Sequence, residues 1–299
     1  MTTYDEFALL SECARDHGIR WHGRPAVERV ATTADEGRHL SALRWGSDEP
    51  EAVLIHGGAQ NAHTWDAVAL ALGRPLLCLD LPGHGRSTWR HDHDYRPPWM
   101  VADVADAISK LAPRARLVGG MSLGGMTAIA LADARPDVVR RLAVVDVAPH
   151  SGRRRTGPLF DFIDGPKTFA NLNEIIDRAE HFRPTRRRES LHRGIFNNAV
   201  QQPDRTWRWR WDPTIGTPTG VAGIGDSMLD MWDAIGRIRA PTLQVTGADS
   251  PAVSPADVKE WQRRQPHVRV VAVEGAGHAV QSDQPVVLAR LLADLLETT

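Results

Sequence analysis

Short apolar runs alternate with helix-forming stretches along most of this chain, and that alternation restricts its fold more than any other feature. The runs are Ala52 to Ile55, Leu76 to Leu79, Ala115 to Val118, Leu142 to Val147, Thr242 to Val245 and Val268 to Val273. Runs of four to six residues dominated by apolar side chains, two of them (Ala52 to Ile55 and Leu76 to Leu79) without a polar position, suit strands covered on both faces. The stretches near Trp65 to Leu72, Pro98 to Leu111, Met126 to Asp133, Pro255 to Arg264 and Pro285 to Leu296 read as the covering helices. Together they predict a doubly wound, mostly parallel sheet. Upstream, Val27 to Thr32 and His39 to Trp45 flank a polar segment containing Gly37 and predict a hairpin at the sheet edge, after a leading helix over Phe7 to Ala14. With 299 residues, 42% of them hydrophobic, the chain has enough apolar mass for a full core.

The rhythm breaks between 150 and 235. That stretch is polar, helical in character and punctuated by Pro158, Pro166, Pro184, Pro203, Pro213 and Pro218, and it is too long for a connecting loop. We expect 1–149 and 236–299 to form the core and 150–235 to form an inserted cap. From Arg153 to Arg210 there are 13 Lys/Arg against 7 Asp/Glu, including the runs Arg153-Arg154-Arg155 and Arg186-Arg187-Arg188. Solvated helix faces account for such runs; steering of anionic acyl substrates, or contact with lipid headgroups, is the alternative. In Trp207-Arg208-Trp209-Arg210-Trp211 the indoles recur with period two, which puts all three on one face of an extended segment. That face would pack the cap on the core and wall a pocket.

Composition narrows the function classes. A net charge of -1 and a pI near 6.9 give no pull toward nucleic acid or an anionic membrane. Cys13 and Cys78 are too few for a disulfide framework, and Cys78 lies inside an apolar run, as a buried thiol would. The N-terminus is acidic rather than basic and no apolar run approaches membrane-spanning length, so the expectation is a cytoplasmic protein without integral membrane association.

The chemistry concentrates at the ends of predicted strands. Gly120-Met121-Ser122-Leu123-Gly124 lies between an apolar run and a helix-forming stretch, the setting of a nucleophile elbow. Such a turn strains the serine and needs glycines two before and two after it, where a Cβ would strike strand and helix. His56-Gly57-Gly58 ends an earlier strand in flexible backbone whose N–H groups can face a developing oxyanion; Gly58 and Leu123 are the candidate donors. Glu274-Gly275-Ala276-Gly277-His278 follows the last apolar run and puts a histidine on a glycine loop, where a neutral imidazole can take a serine proton. Two aspartates end strands on the same side, Asp146 and Asp249, and either could orient that imidazole. Gly57, His63 and Trp209 are expected in the substrate pocket, with His84 also near its mouth, while His56 organises its own loop. His91-Asp92-His93-Asp94 lacks a third ligand at a recognisable spacing and reads as a surface loop, so neither metal nor cofactor is expected.

Those residues, together with Asp80-Leu81-Pro82-Gly83-His84-Gly85-Arg86-Ser87, resemble the α/β-hydrolase superfamily across nearly the whole chain. More closely, Gly57 to Asp66, Gly120 to Gly125 and His278 to Pro285 are similar to a mycobacterial ester hydrolase of that superfamily acting on short acyl esters. The resemblance implies the α/β-hydrolase fold with a helical cap, and a Ser122, acid and His278 triad. It also bears on the acid. In many members the carboxylate is the third residue beyond a glycine after the seventh strand, a place that holds Ser250 here, with Asp249 one residue early. In the dehalogenase branch it lies 24 residues beyond the nucleophile, which is Asp146. Asp146 is therefore favoured over Asp249. The expected activity is serine ester hydrolysis of a small-molecule ester with short or medium acyl chains. Acyl transfer, perhydrolysis or carbon–carbon bond hydrolysis on the same serine are the alternatives within the fold, and ligand sensing on a hydrolase scaffold the alternative outside catalysis.

Overall fold

A computed structural model describes residues 4–32, 38–149, 161–184, 186–216 and 229–298. Gly37, Arg153-Arg154-Arg155, Pro158 and Pro218 lie outside the described residues. Eight strands form one sheet: β1 (Val27–Ala31), β2 (Ser41–Trp45), β3 (Ala52–Ile55), β4 (Leu76–Leu79), β5 (Leu117–Met121), β6 (Leu142–Val145), β10 (Thr242–Gly247) and β11 (Arg269–Val273). Their order is β1-β2-β4-β3-β5-β6-β10-β11. The β1/β2 and β2/β4 pairs are antiparallel, and every later neighbour is parallel. The expected mostly parallel sheet with an edge hairpin is thus the observed one.

Burial on both faces explains the unbroken apolar runs of β3 and β4. Val53, Ile55, Leu77 and Leu79 face one core layer, while Leu54, Leu76 and Cys78 face the other, as strand periodicity requires. Helices α3 (Pro97–Leu111) and α4 (Leu123–Ala134) cover the first face. The second is covered by α1 (Leu10–Asp16), α2 (Asp66–Leu72) and the C-terminal helix α9 (Pro285–Glu297). Both cysteines are free and buried. Among the described residues, no helix is long and apolar enough to cross a membrane.

Within 161–216 lie helices α5 (Leu172–Phe182) and α6 (Arg188–Asn198) and a three-stranded sheet, β7 (Thr168–Phe169), β9 (Trp207–Trp209) and β8 (Ala199–Gln201), in that order. Trp209 and Trp211 are buried and stack at 5.6 Å, while Trp207 is half-buried against the same cluster. The period-two spacing therefore does place the indoles on the packed side. Helix α7 (Leu229–Arg237) falls mostly inside the 150–235 stretch but packs with the core. Its Met231, Trp232, Ala234 and Ile235 are buried, and Trp232 meets Trp261 of α8 (Pro255–Arg264) edge-on at 6.2 Å. The apolar stripe of α7 packs on α4 and α8.

Candidate active site

Ser122 sits between the end of β5 and the start of α4 with φ 51° and ψ -118°, in the left-handed region that costs a non-glycine residue about 1–3 kcal/mol. Its neighbours explain why that strain persists. A Cβ on Gly120 would lie 2.2 Å from the Gly124 carbonyl oxygen, and one on Gly124 would lie 2.3 Å from the Ile55 carbonyl oxygen. The two glycines let the helix press against its own strand and against β3, and the Ser122 N–H is tied to the Val145 carbonyl at 3.0 Å.

The histidine and one aspartate meet. His278 Nδ1 bonds Asp146 Oδ2 at 2.7 Å, and Asp146 is completely buried just beyond β6. Its carboxylate also accepts from the Gly247 N–H at 2.9 Å and from the Ser250 hydroxyl at 2.5 Å. Asp249 is exposed, and its backbone N–H bonds the Ala276 carbonyl at 3.0 Å. The His278 loop and the end of β10 are in close contact, since a Cβ on Gly247 would lie 2.2 Å from the Gly277 carbonyl oxygen. A carboxylate at Nδ1 keeps a proton there, so Nε2 is the accepting nitrogen of the neutral ring. His278 Nε2 is buried and has no hydrogen-bond partner among the described residues. Hydrogen bonds of a base to its nucleophile commonly close only when substrate is bound.

Gly57 and Gly58 follow β3. The Gly57 N–H donates to Gln60 Oε1 at 3.0 Å, and a Cβ there would meet Met121 Sδ at 2.6 Å and the Ser122 Cβ at 3.3 Å. Gly57 thus brings the loop against the serine, but its own amide is occupied. Gly58 lines a cavity of about 830 Å³ together with His63, Trp209 and His278. As the first residue of α4, Leu123 offers one of the helix's free first-turn N–H groups, reinforced by the positive end of the helix dipole.

The other histidines sort by their partners. His56 donates from Nδ1 to the Gly57 carbonyl at 2.7 Å and accepts the Leu81 N–H at 3.0 Å, so it organises its loop as expected; burial holds its pKa below the ordinary value. His84 is not at the pocket mouth. It is fully buried, donates to the Pro82 carbonyl at 3.0 Å and accepts the Ala59 N–H at 3.1 Å, holding Ala59 at φ 57° beside Gly58. Burial and the neighbouring His56 push its pKa down to about 3. His63 reaches the cavity wall, yet both ring nitrogens are engaged, Nδ1 with Asp66 at 2.9 Å and Nε2 with Glu6 at 3.3 Å. Burial opposes its charge, but the two carboxylates raise its pKa to about 9. In the His91 to Asp94 loop, Asp92 pairs with Arg90, His93 with Asp212 and Asp94 with Arg96. No cluster of metal-ligating side chains occurs among the described residues.

Sequence reasoning missed the supporting contacts. Ser250 was legible only as the residue standing where other members carry an acid; the structure makes it a donor to Asp146. The Asp283 carboxylate accepts the Gly277 N–H at 3.0 Å next to His278 and is paired with Arg186. No local pattern announces either contact.

A strained serine after a central strand, an aspartate-bonded histidine on a late loop and an eight-stranded, mostly parallel sheet define a hydrolase of the α/β type. The chain belongs to the alpha/beta hydrolase family, whose model matches residues 52–291. It is 40% identical over 305 residues to the esterase Rv0045c of Mycobacterium tuberculosis, covering 100% of this chain and 98% of that one. A crystal structure of that esterase superposes with a TM-score of 0.87 at 40% identity and full coverage of both chains. The 3-hydroxybutyrate-oligomer hydrolase of Cupriavidus necator is 30% identical over 281 residues, covering 89% of this chain and 96% of its own.

Proposed function

We propose that this chain is a serine ester hydrolase that cleaves carboxylic esters with short to medium acyl chains through an acyl-enzyme at Ser122. His278 Nε2 takes the Ser122 proton as Oγ attacks the ester carbonyl. The Gly58 and Leu123 N–H groups receive the oxyanion, a contribution of about 3 kcal/mol for each such donor. Asp146 holds the Nδ1 proton and stabilises the imidazolium. The imidazolium then protonates the leaving alcohol, and water, activated by the same ring, releases the acid. The 161–216 segment acts as the cap over the pocket, with Trp209 on its wall.

The observation that carries this reading is the 2.7 Å bond from His278 Nδ1 to buried Asp146, which leaves Nε2 without a partner among the described residues. The similarity to an esterase over the full chain supports ester cleavage as the reaction. The test is hydrolysis of p-nitrophenyl esters from acetate to palmitate by wild type and Ser122→Ala. We expect an optimum at short or medium chains and loss of turnover in the variant. Wild-type inactivity on every chain length, or undiminished turnover by Ser122→Ala, would refute it.

A further inference from the structure

Among the described residues, the cavity wall carries one arginine without an ion pair. Among the described residues three arginines line it, all from the 161–216 segment. Arg186 is paired with Asp283, and Arg193 with Asp16 at 2.5 Å. Arg183, directly after α5, has no ion pair and no side-chain hydrogen bond among the described residues. Its backbone N–H closes the helix onto the Ala179 and Glu180 carbonyls, so the residue is anchored while its guanidinium is not. Two charged groups act on it: Arg186 repels it and Asp283 attracts it from beyond bonding distance. Burial and that repulsion hold its pKa below the ordinary arginine value. A half-buried guanidinium in a cavity wall, with no carboxylate of its own among the described residues, presents a fork of N–H donors that matches a carboxylate.

We propose that Arg183 is an anion seat within the substrate cavity, and that the preferred substrates are esters bearing a carboxylate on the acyl chain or on the alcohol. The proposal rests on the ester-hydrolase reading for its substrate class but not for its binding chemistry. Asp283 links this seat to the reacting end: one of its oxygens is paired with Arg186 and the other accepts the Gly277 N–H beside His278. The unpaired cation therefore belongs to the same wall as the candidate base. Asp249, also on that wall, is exposed and is not among the charged groups acting on Arg183.

The test compares kcat/KM for matched esters. On the acyl side the pair is the mono-p-nitrophenyl ester of adipic acid against p-nitrophenyl hexanoate; on the alcohol side it is the butyrate ester of 4-hydroxybenzoate against phenyl butyrate. For at least one pair, Arg183→Met should lower the charged-to-neutral ratio about ten- to a hundredfold, mainly through KM, the range expected for losing hydrogen bonds to a charged group. Arg183→Lys should restore part of it. Arg187→Met, on an exposed arginine outside the cavity wall, should leave the ratio unchanged. Calorimetric binding of adipate to wild type and Arg183→Met reads the seat without turnover: binding to wild type weakened in the variant supports it. Ratios unaltered by Arg183→Met in both pairs, with adipate binding absent or unaltered, would overturn the anion seat even if neutral esters are hydrolysed. Arg183-dependent adipate binding with no hydrolysis of any ester would retain the seat and overturn the ester-hydrolase reading.

Discussion

Replacing Asp146 by asparagine should be nearly as damaging as removing the base, although it changes one atom in a side chain of the same shape. Asp146 Oδ1 accepts the Gly247 N–H at 2.9 Å, which favours keeping the amide oxygen of an asparagine there. The amide nitrogen then faces His278 Nδ1, now at 2.7 Å from Oδ2. Two donors cannot share that contact, so Nδ1 becomes the acceptor and the ring proton moves to Nε2, the nitrogen required to accept from Ser122. The imidazolium of the transition state also loses its counter-charge: at 2.7 Å and an effective dielectric of about 20, that attraction is about 6 kcal/mol. A barrier increase of that order matches the ~10⁴-fold loss known for such a change in serine triads, about 5 kcal/mol. The assay is steady-state hydrolysis of p-nitrophenyl butyrate, with thermal melts to verify folding. We expect kcat to fall about 10⁴-fold with KM nearly constant, whereas Asp249→Asn loses less than about tenfold. An Asp146→Asn protein that is folded and keeps more than about a tenth of wild-type kcat would exclude Asp146 as the triad acid, as would a larger loss in Asp249→Asn.

Ser250→Ala removes the hydroxyl bonded at 2.5 Å to Asp146 but leaves the Gly247 and His278 bonds, so kcat/KM should fall about tenfold. Ser250→Thr, which keeps the hydroxyl, should recover most of that activity, and equal losses in both variants would contradict the account. His63 gives stability a pH dependence of defined sign. Its pKa is raised to about 9 when folded against about 6.5 unfolded, so its contribution is full below about pH 6.5, declines above that and is gone above about pH 9. The amount is on the order of 3 kcal/mol. Urea melts from pH 6 to 10 should therefore show a decline in wild type that His63→Gln largely lacks, and equal slopes in both would remove His63 as its source.

Local chemistry made the core legible. Strands β3 and β4 have the boundaries of their apolar runs, and α8 has those of its pattern because Ser254, Pro255 and Asp257 form a capping box with proline in the first turn. Helix α4 starts at Leu123, earlier than the helix-forming stretch from Met126, because Gly124 and Gly125 are there for close packing despite their low helix propensity. The choice between Asp146 and Asp249 was ambiguous for a geometric reason. Strands β6 and β10 are adjacent and parallel, so both aspartates emerge at the same edge. What separates them is the turn after β6, with Asp146 at φ 51°, which no residue pattern encodes. His84 was misplaced because its partner, Ala59, lies on another loop. The short strands around Trp207 to Trp209 escaped notice except through the indole spacing, since two or three residues give too little periodicity to read.

Covalent labelling with a p-nitrophenyl phosphonate ester, followed by intact mass and peptide mapping, tests Ser122 as the nucleophile directly. One phosphonyl adduct per chain is expected, located on Ser122, with its formation abolished in Ser122→Ala and strongly slowed in His278→Ala. An adduct on another residue, or stoichiometric labelling that persists in Ser122→Ala, would contradict Ser122 as the nucleophile.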